Sequence, residues 1–291
     1  MFGLPLRYIM RHPARGFGAV LSEPLGTWER IYEDHCYAAE QRLPRYQYQA
    51  DSDWEARLHA ELAIGFPCGA RSEPTSLWPA ITATLATRGI EVGPLSFFHW
   101  NDGDPAFIRA IWCLIRHLKP EIIVETGIAH GVSSRFILEA LKLNGTGKLW
   151  SIDLPPIEHH WREQVGIAVS EEFYDRWQLI KGSSRRNLAP LTRELGTLDL
   201  FIHDSLHSGR NVSFELEEAW RVLRPGGAIV VDDVDANSAF HEFVARNPGH
   251  FSVVCEAEPV RPDMRRFNEK GLFGIILRRS EVQPSVSGTP N

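Results

Sequence analysis

The chain has 291 residues, 43% hydrophobic and 23% charged, with a formal net charge of −6. That balance suits one large globular domain, or a domain with an extension, and it implies no broad basic surface, which argues against sequence-independent nucleic-acid binding. No apolar run reaches the length of a membrane span, and Arg7, Pro13 and Arg15 interrupt any leader-like core, so a cytoplasmic location is expected.

Residues 1–20 read at most as a short basic, apolar surface segment. Helices are expected over 26–42, 52–64 and 76–88, punctuated by Pro24, Pro44, Pro67, Pro74 and Pro79. Trp28, Trp54, Trp78 and Trp100 in this region read as aromatic anchors between helices. The segment 95–104 mixes aromatics, His99 and acids and is the candidate lid. Cys36, Cys68, Cys113 and Cys255 are widely spaced without a CxxC pair, so spacing suggests neither a zinc site nor a disulfide framework, and a reducing compartment fits.

From Asp104 the pattern changes. Asp104 and Pro105 open a helix whose stripe of Phe107, Ile108, Ile111, Trp112, Leu114 and Ile115 ends near Leu118. Strands are expected at 121–126, 148–154, 178–181, 198–204, 227–233, 251–257 and 272–279. Helical stretches are expected between them at 133–143, 158–176, 185–195, 211–223 and 237–246. This alternation predicts a mostly parallel sheet covered on both faces, closed by an antiparallel pair after 251. Three regions follow: an extension or lid over 1–103, the α/β domain over 104–280, and a polar tail over 281–291.

Ligands of open α/β sheets lie at strand exits. At the first exit, Glu125 precedes Gly127 and Gly131, where the chain must turn and approach something closely, and Ser133 and Ser134 open the next helix. The glycine spacing is neither a dinucleotide fingerprint nor a phosphate-binding loop. Asp153 ends the second strand, where Pro155-Pro156 argues against helix capping and an acid can accept from both hydroxyls of a ribose. Lys181-Gly182-Ser183-Ser184 follows the third strand, with Ser184 available as a cap for the helix that Arg185 opens. The fourth strand delivers Asp204 and His207, and the fifth ends in Asp232-Asp233. Neighbouring exits lie about 4.8 Å apart, so these acids share a small volume. A hard divalent cation, Mg²⁺ first, would relieve their repulsion.

The run Glu125-x-Gly127-x-x-x-Gly131-x-Ser133 resembles the first motif of class I S-adenosylmethionine (SAM) methyltransferases. Asp204-x-x-His207, then Leu223-Arg224-Pro225-Gly226-Gly227 and Asp232-Asp233, resembles metal-dependent O-methyltransferases of macrolide sugars, the mycinamicin type. The resemblance covers about residues 105–280. It implies a doubly wound, seven-stranded, Rossmann-like sheet. SAM would be held by Glu125, Gly127, Gly131, Ser133, Asp153, Ser183 and Asp204, with Ser183 at the adenine. Mg²⁺ would be held by Asp204, Asp232 and Asp233, and His207 would be the general base. The implied acceptor is a hydroxyl of a sugar or other small molecule, with no nucleic-acid partner, and a homo-oligomer is open. A further acidic metal contact of that family has no match here. A metal-independent methyltransferase, a cephalosporin hydroxylase-like iron protein and a non-catalytic SAM-binding protein are the alternatives on the same sheet.

Overall fold

The computed structural model describes residues 21, 24–40, 42, 46–90, 104–156, 162–258 and 271–280. All of the expected lid at 95–104 except Asp104, with Trp100, the basic segment 1–20 and the tail 281–291, lies outside them. Among the described residues no helix is long and apolar enough to cross a membrane.

The elements in chain order are α1 (Pro24–Glu40), α2 (Trp54–Glu61), a 3-10 helix (Gly69–Ser76), α3 (Trp78–Thr87), α4 (Pro105–Leu118), β1 (Ile122–Thr126), α5 (Val132–Asn144), β2 (Lys148–Asp153), β3 (Trp177–Lys181), α6 (Ser184–Leu195), β4 (Leu198–His203), α7 (Gly209–Val222), β5 (Leu223–Val231), α8 (Ala239–Arg246), β6 (Phe251–Glu256) and β7 (Leu272–Leu277). The seven strands form one sheet in the order β3-β2-β1-β4-β5-β7-β6. β7 runs antiparallel to both β5 and β6, and its pairing with β6 is the antiparallel closing pair expected after 251.

β1 and β4 are buried almost throughout, because helices cover both faces. Alternate residues feed two cores. Ile123, Leu149, Leu200 and Val230 pack under α4 and α5, and Val124, Ile152, Phe201 and Ile229 pack under α6, α7 and α8. Asp104 caps α4 as expected, its Oδ1 accepting from Ala106 N at 2.8 Å and from Glu258 N at 2.9 Å.

The extension packs onto the α4/α5 side. Trp54 meets Phe273 edge-on at 5.4 Å, and Trp78 lies 4.7 Å from Phe136, so both are anchors. Each such pair contributes about 0.5–1.5 kcal/mol beyond its buried area. Trp28 departs from that expectation: it is 65% exposed on α1.

Two expected elements differ. From 163 to 176 the stretch expected to be helical holds turns and a 3-10 turn (Glu171–Phe173). Its backbone is drawn onto the β1 exit, with Gly166 N donating to Ala129 O and Ala168 N to His130 O, both at 2.9 Å. The Leu223-Arg224-Pro225-Gly226-Gly227 segment is the irregular start of β5 and not a separate turn. Asp199 organises it, pairing with Arg224 while accepting from Glu121 N and Ile122 N at 2.9 and 2.7 Å.

Candidate functional site at the strand exits

The β1 exit is built by close contact of chain on chain. Gly127 has φ +78, and a Cβ there would lie 1.9 Å from the carbonyl oxygen of Asp204. Gly131 has φ +82, and its Cβ would lie 2.9 Å from Gly166 Cα. The close approach expected at these glycines is therefore to the β4 exit and to the segment after β2. Gly131 is the N-cap of α5, which begins one residue before Ser133.

Glu125 is fully buried beneath this loop. It accepts from Ser133 Oγ (2.7 Å), Ser134 Oγ (2.6 Å) and Ser151 Oγ (3.0 Å). Burial pushes its carboxyl up against these three hydrogen bonds. Glu125 and Ser133, both expected at the cofactor, are thus bonded to each other and fasten the first turn of α5 to β1.

Asp153 Oδ2 accepts from Ile128 N at 2.8 Å and Ala129 N at 3.3 Å. Burial raises its carboxyl to about 6, opposed by those two amides and by the charge of Arg30. The side chain at the expected ribose position therefore also shapes the glycine loop.

At the β3 exit the cap is Ser183, whose Oγ accepts from Arg186 N at 3.3 Å. Of the two serines, the one expected at the adenine is the one that starts the helix. Ser184 turns inward, to Asn211 Oδ1 at 3.5 Å.

The β4 and β5 exits converge. Ligand atoms of Asp204, His207 and Asp232 all lie within 4.8 Å of one another. His207 Nε2 is 3.9 Å from Asp204 Oδ1 and 3.7 Å from Asp233 Oδ2. Helix capping does not occupy His207, because Ser208 caps α7 through a 3.2 Å bond from Asn211 N. β5 ends at Val231, and Asp233 takes a left-handed conformation with φ +48. Strict alternation across the strand would send the two aspartates to opposite faces. Leaving the strand at Asp232 removes that constraint, and Asp233 reaches the same histidine.

One buried carboxylate at this site has no counterpart among the expected residues. Glu215 on α7 accepts from Thr126 Oγ1 (2.5 Å), Ser205 Oγ (2.8 Å) and Asn211 Nδ2 (2.9 Å), and its Oε2 lies 2.7 Å from His203 Nδ1. Burial pushes Glu215 up, but the His203 ring and the surrounding hydroxyls outweigh it and hold the acid at about 2. The network fixes the segment between β4 and α7 that carries His207. Its signal in the sequence is an acid between Val212 and Leu216 on the apolar face of a helix. His203 is buried and bonded to Glu215, and its ring stands 5.4 Å from that of His207.

The extension crosses this rim. Arg30 of α1 donates to the Pro155 carbonyl beyond β2. Glu33 lies 3.6 Å from Arg185 at the start of α6, and Glu40 accepts from Gly209 N at 2.6 Å at the start of α7. α1 therefore spans the exits of β2, β3 and β4.

A seven-stranded sheet with β7 reversed, and a glycine loop beside an acidic cluster at its exits, is the architecture of the class I methyltransferases. Residues 124–234 match the family of methyltransferase domains. An inferred O-methyltransferase of Mycolicibacterium vanbaalenii is 29% identical over 153 residues, 52% of this chain and 62% of that protein. One from a Mycobacterium species is 28% identical over 65% of this chain and 79% of its own length. Among solved structures, the O-methyltransferase TomG of Streptomyces achromogenes, involved in tomaymycin synthesis and bound to SAM, has a TM-score of 0.52 at 16% identity, over 78% of this chain and 96% of its own. The Bacillus cereus O-methyltransferase in complex with SAH has a TM-score of 0.50 at 15% identity, over 77% and 98%. At these identities the two structures establish the fold.

Proposed function

We propose that the chain is a SAM-dependent O-methyltransferase for a hydroxyl of a sugar or another small molecule, with Mg²⁺ at the site. The observation that carries this reading is the convergence of Asp204, His207 and Asp232 within 4.8 Å, directly against the Gly127 loop. The matched relatives and the SAM- and SAH-bound neighbours support the cofactor.

SAM, when bound, supplies a methyl group on a sulfonium, an activated leaving group. The residues of this chain then have three tasks. The loop 127–131 and Asp153 hold the cofactor. Asp153 Oδ1 takes neither of the loop hydrogen bonds, which fall on Oδ2, and it is the oxygen assigned to the ribose. Asp204 and Asp232 would hold Mg²⁺, with Asp233 close by, and the ion would supply a positive charge that lowers the pKa of an acceptor hydroxyl. His207 takes the acceptor's proton, and Asp204 and Asp233 beside it stabilise the charged ring. A positioned base of this kind contributes about 10²–10⁴-fold.

The same spacing supports a second reading without metal, in which Asp233 and His207 act as an acid–base pair. The donor set weighs against the iron alternative, since one histidine with two carboxylates inverts the usual two-histidine, one-carboxylate triad of such oxygenases. The test is calorimetric titration with SAM, followed by SAH formation on a panel of hydroxylated acceptors with and without EDTA. Lack of SAM binding at millimolar ligand overturns the proposal. Full turnover in EDTA selects the metal-free reading.

A further inference from the structure

Far from the strand exits, on the α4 side of the domain, three side chains from separate segments meet. His59 lies on α2, Cys68 precedes the 3-10 helix and Cys113 is in the middle of α4. Cys68 Sγ is 4.0 Å from Cys113 Sγ, and Cys113 Sγ is 3.7 Å from His59 Nε2. All three ligand atoms lie within 4.8 Å of one another. The wide spacing of the cysteines concealed this meeting, because the partners come from elements brought together only by the fold.

Two tetrahedral zinc–sulfur bonds of about 2.3 Å place their sulfurs roughly 3.8 Å apart, and a sulfur and an imidazole nitrogen roughly 3.6 Å apart. The Cys68–Cys113 and Cys113–His59 separations are within a few tenths of an ångström of these. A second observation is independent of the distances. His59 Nδ1 lies 2.6 Å from the carbonyl oxygen of Glu55. A carbonyl only accepts, so Nδ1 carries the hydrogen and Nε2 presents its lone pair to Cys113. Metal-binding histidines are held in this way, with the far nitrogen donating to a backbone carbonyl. His117 stands one helical turn beyond Cys113. Its ring centroid is 6.5 Å from that of His59, and its Nε2 is buried without a hydrogen-bond partner.

We propose that His59, Cys68 and Cys113 form a thiolate site for a soft tetrahedral cation, Zn²⁺, with His117 in the fourth position. Thiolate and imidazole donors select such an ion over Mg²⁺, so the site is chemically distinct from the aspartates at the strand exits. Four protein ligands leave no open position, which makes the site structural. It ties α2 and the 3-10 helix, both in the extension, to α4 of the methyltransferase domain.

Two other states of these side chains are possible outcomes of the test: a pair of ordinary thiols with Cys113 donating to His59, and an oxidised Cys68–Cys113 disulfide. The full chain is stripped of metal with a chelator under reducing conditions and titrated anaerobically with Co²⁺. The expected result is thiolate-to-cobalt charge-transfer absorption in the near ultraviolet that saturates at one equivalent of thiolate-bound metal and that Zn²⁺ bleaches. Cys68→Ser, Cys113→Ser and His117→Ala each weaken binding, the cysteine variants by at least about 100-fold. Asp232→Asn leaves the band intact, because oxygen ligands produce no such absorption. A wild-type protein without the band overturns the proposal, as does a band that survives both cysteine substitutions. A Cys68–Cys113 disulfide in peptide maps of freshly purified, non-reduced protein also overturns it. Should one serine variant fail to fold, the wild-type titration still decides.

Discussion

Glu215 Oε2 lies 2.7 Å from His203 Nδ1, and both side chains are fully buried. This contact joins α7 to β4 directly behind the turn that carries His207. Removing the acid leaves His203, Ser205, Thr126 and Asn211 without their shared acceptor. Glu215→Ala is expected to cost about 3–5 kcal/mol in urea unfolding, the range for breaking a buried pair from one side. The Glu215 carboxyl is depressed from 4.5 to about 2 in the folded chain. Its stabilisation is therefore complete above pH 4.5 and is lost as the pH falls toward 2. A Glu215→Ala protein with wild-type acid stability would contradict this.

Asp153 works in the opposite direction. Burial raises its carboxyl from 3.8 to about 6, so ionisation takes stability away from the free protein as the pH rises through that window. A ribose that needs the ionised acid is bound more tightly over the same interval. The dissociation constant for SAM is expected to weaken about tenfold between pH 7 and pH 5. Calorimetry on Asp153→Asn should show weaker binding with little pH dependence over this range. An equally steep profile in that variant would remove Asp153 from the cofactor site.

Gly127 and Gly145 share a left-handed backbone, with φ +78 and +75, but differ in surroundings. Around Gly145 there is space for a methyl group, and Gly145→Ala is expected to cost about 1–2 kcal/mol. At Gly127 the same methyl collides with Asp204, so Gly127→Ala is expected to cost roughly 2–5 kcal/mol and to weaken SAM binding. Equal thermal shifts for the two variants would show that β4 yields at little cost.

His207→Ala should lower kcat by about 10²–10⁴-fold while leaving SAM affinity close to wild type. The group that stabilises its charge is tested separately. Asp233→Asn is expected to move the acidic limb of the rate profile to lower pH, since it removes a carboxylate 3.7 Å from the ring. An unchanged rate for His207→Ala would assign proton removal elsewhere.

The sheet was legible because its strands are apolar runs separated by helical patterns, and Asp104-Pro105 marks the start of α4 without ambiguity. The five exits of β1–β5 can be located by counting strands, which is why Asp204, His207 and Asp232 are legible in the sequence as neighbours. Less legible was what each polar side chain does there. Ser183 and Ser184 both satisfy a capping pattern, and only the backbone decides that Ser183 takes it. Glu125 looked like an exit residue, yet three serines hold it inside. Glu215 was missed because an acid on an apolar helical face is visible only once the helix is known to be buried. Cys68 and Cys113 are 45 positions apart, and no local pattern predicts that the extension folds back onto α4.

α1 is fixed over the crevice mainly by hydrogen bonds and ion pairs: Arg30 to Pro155, Glu33 to Arg185, Glu40 to the first amides of α7. Polar latches of this kind release without disturbing either core. Exchange of nucleoside product for fresh donor would then be timed by how often one helix detaches, and added salt, by loosening the charged pairs, would hasten the turnover of an enzyme whose chemistry it leaves alone.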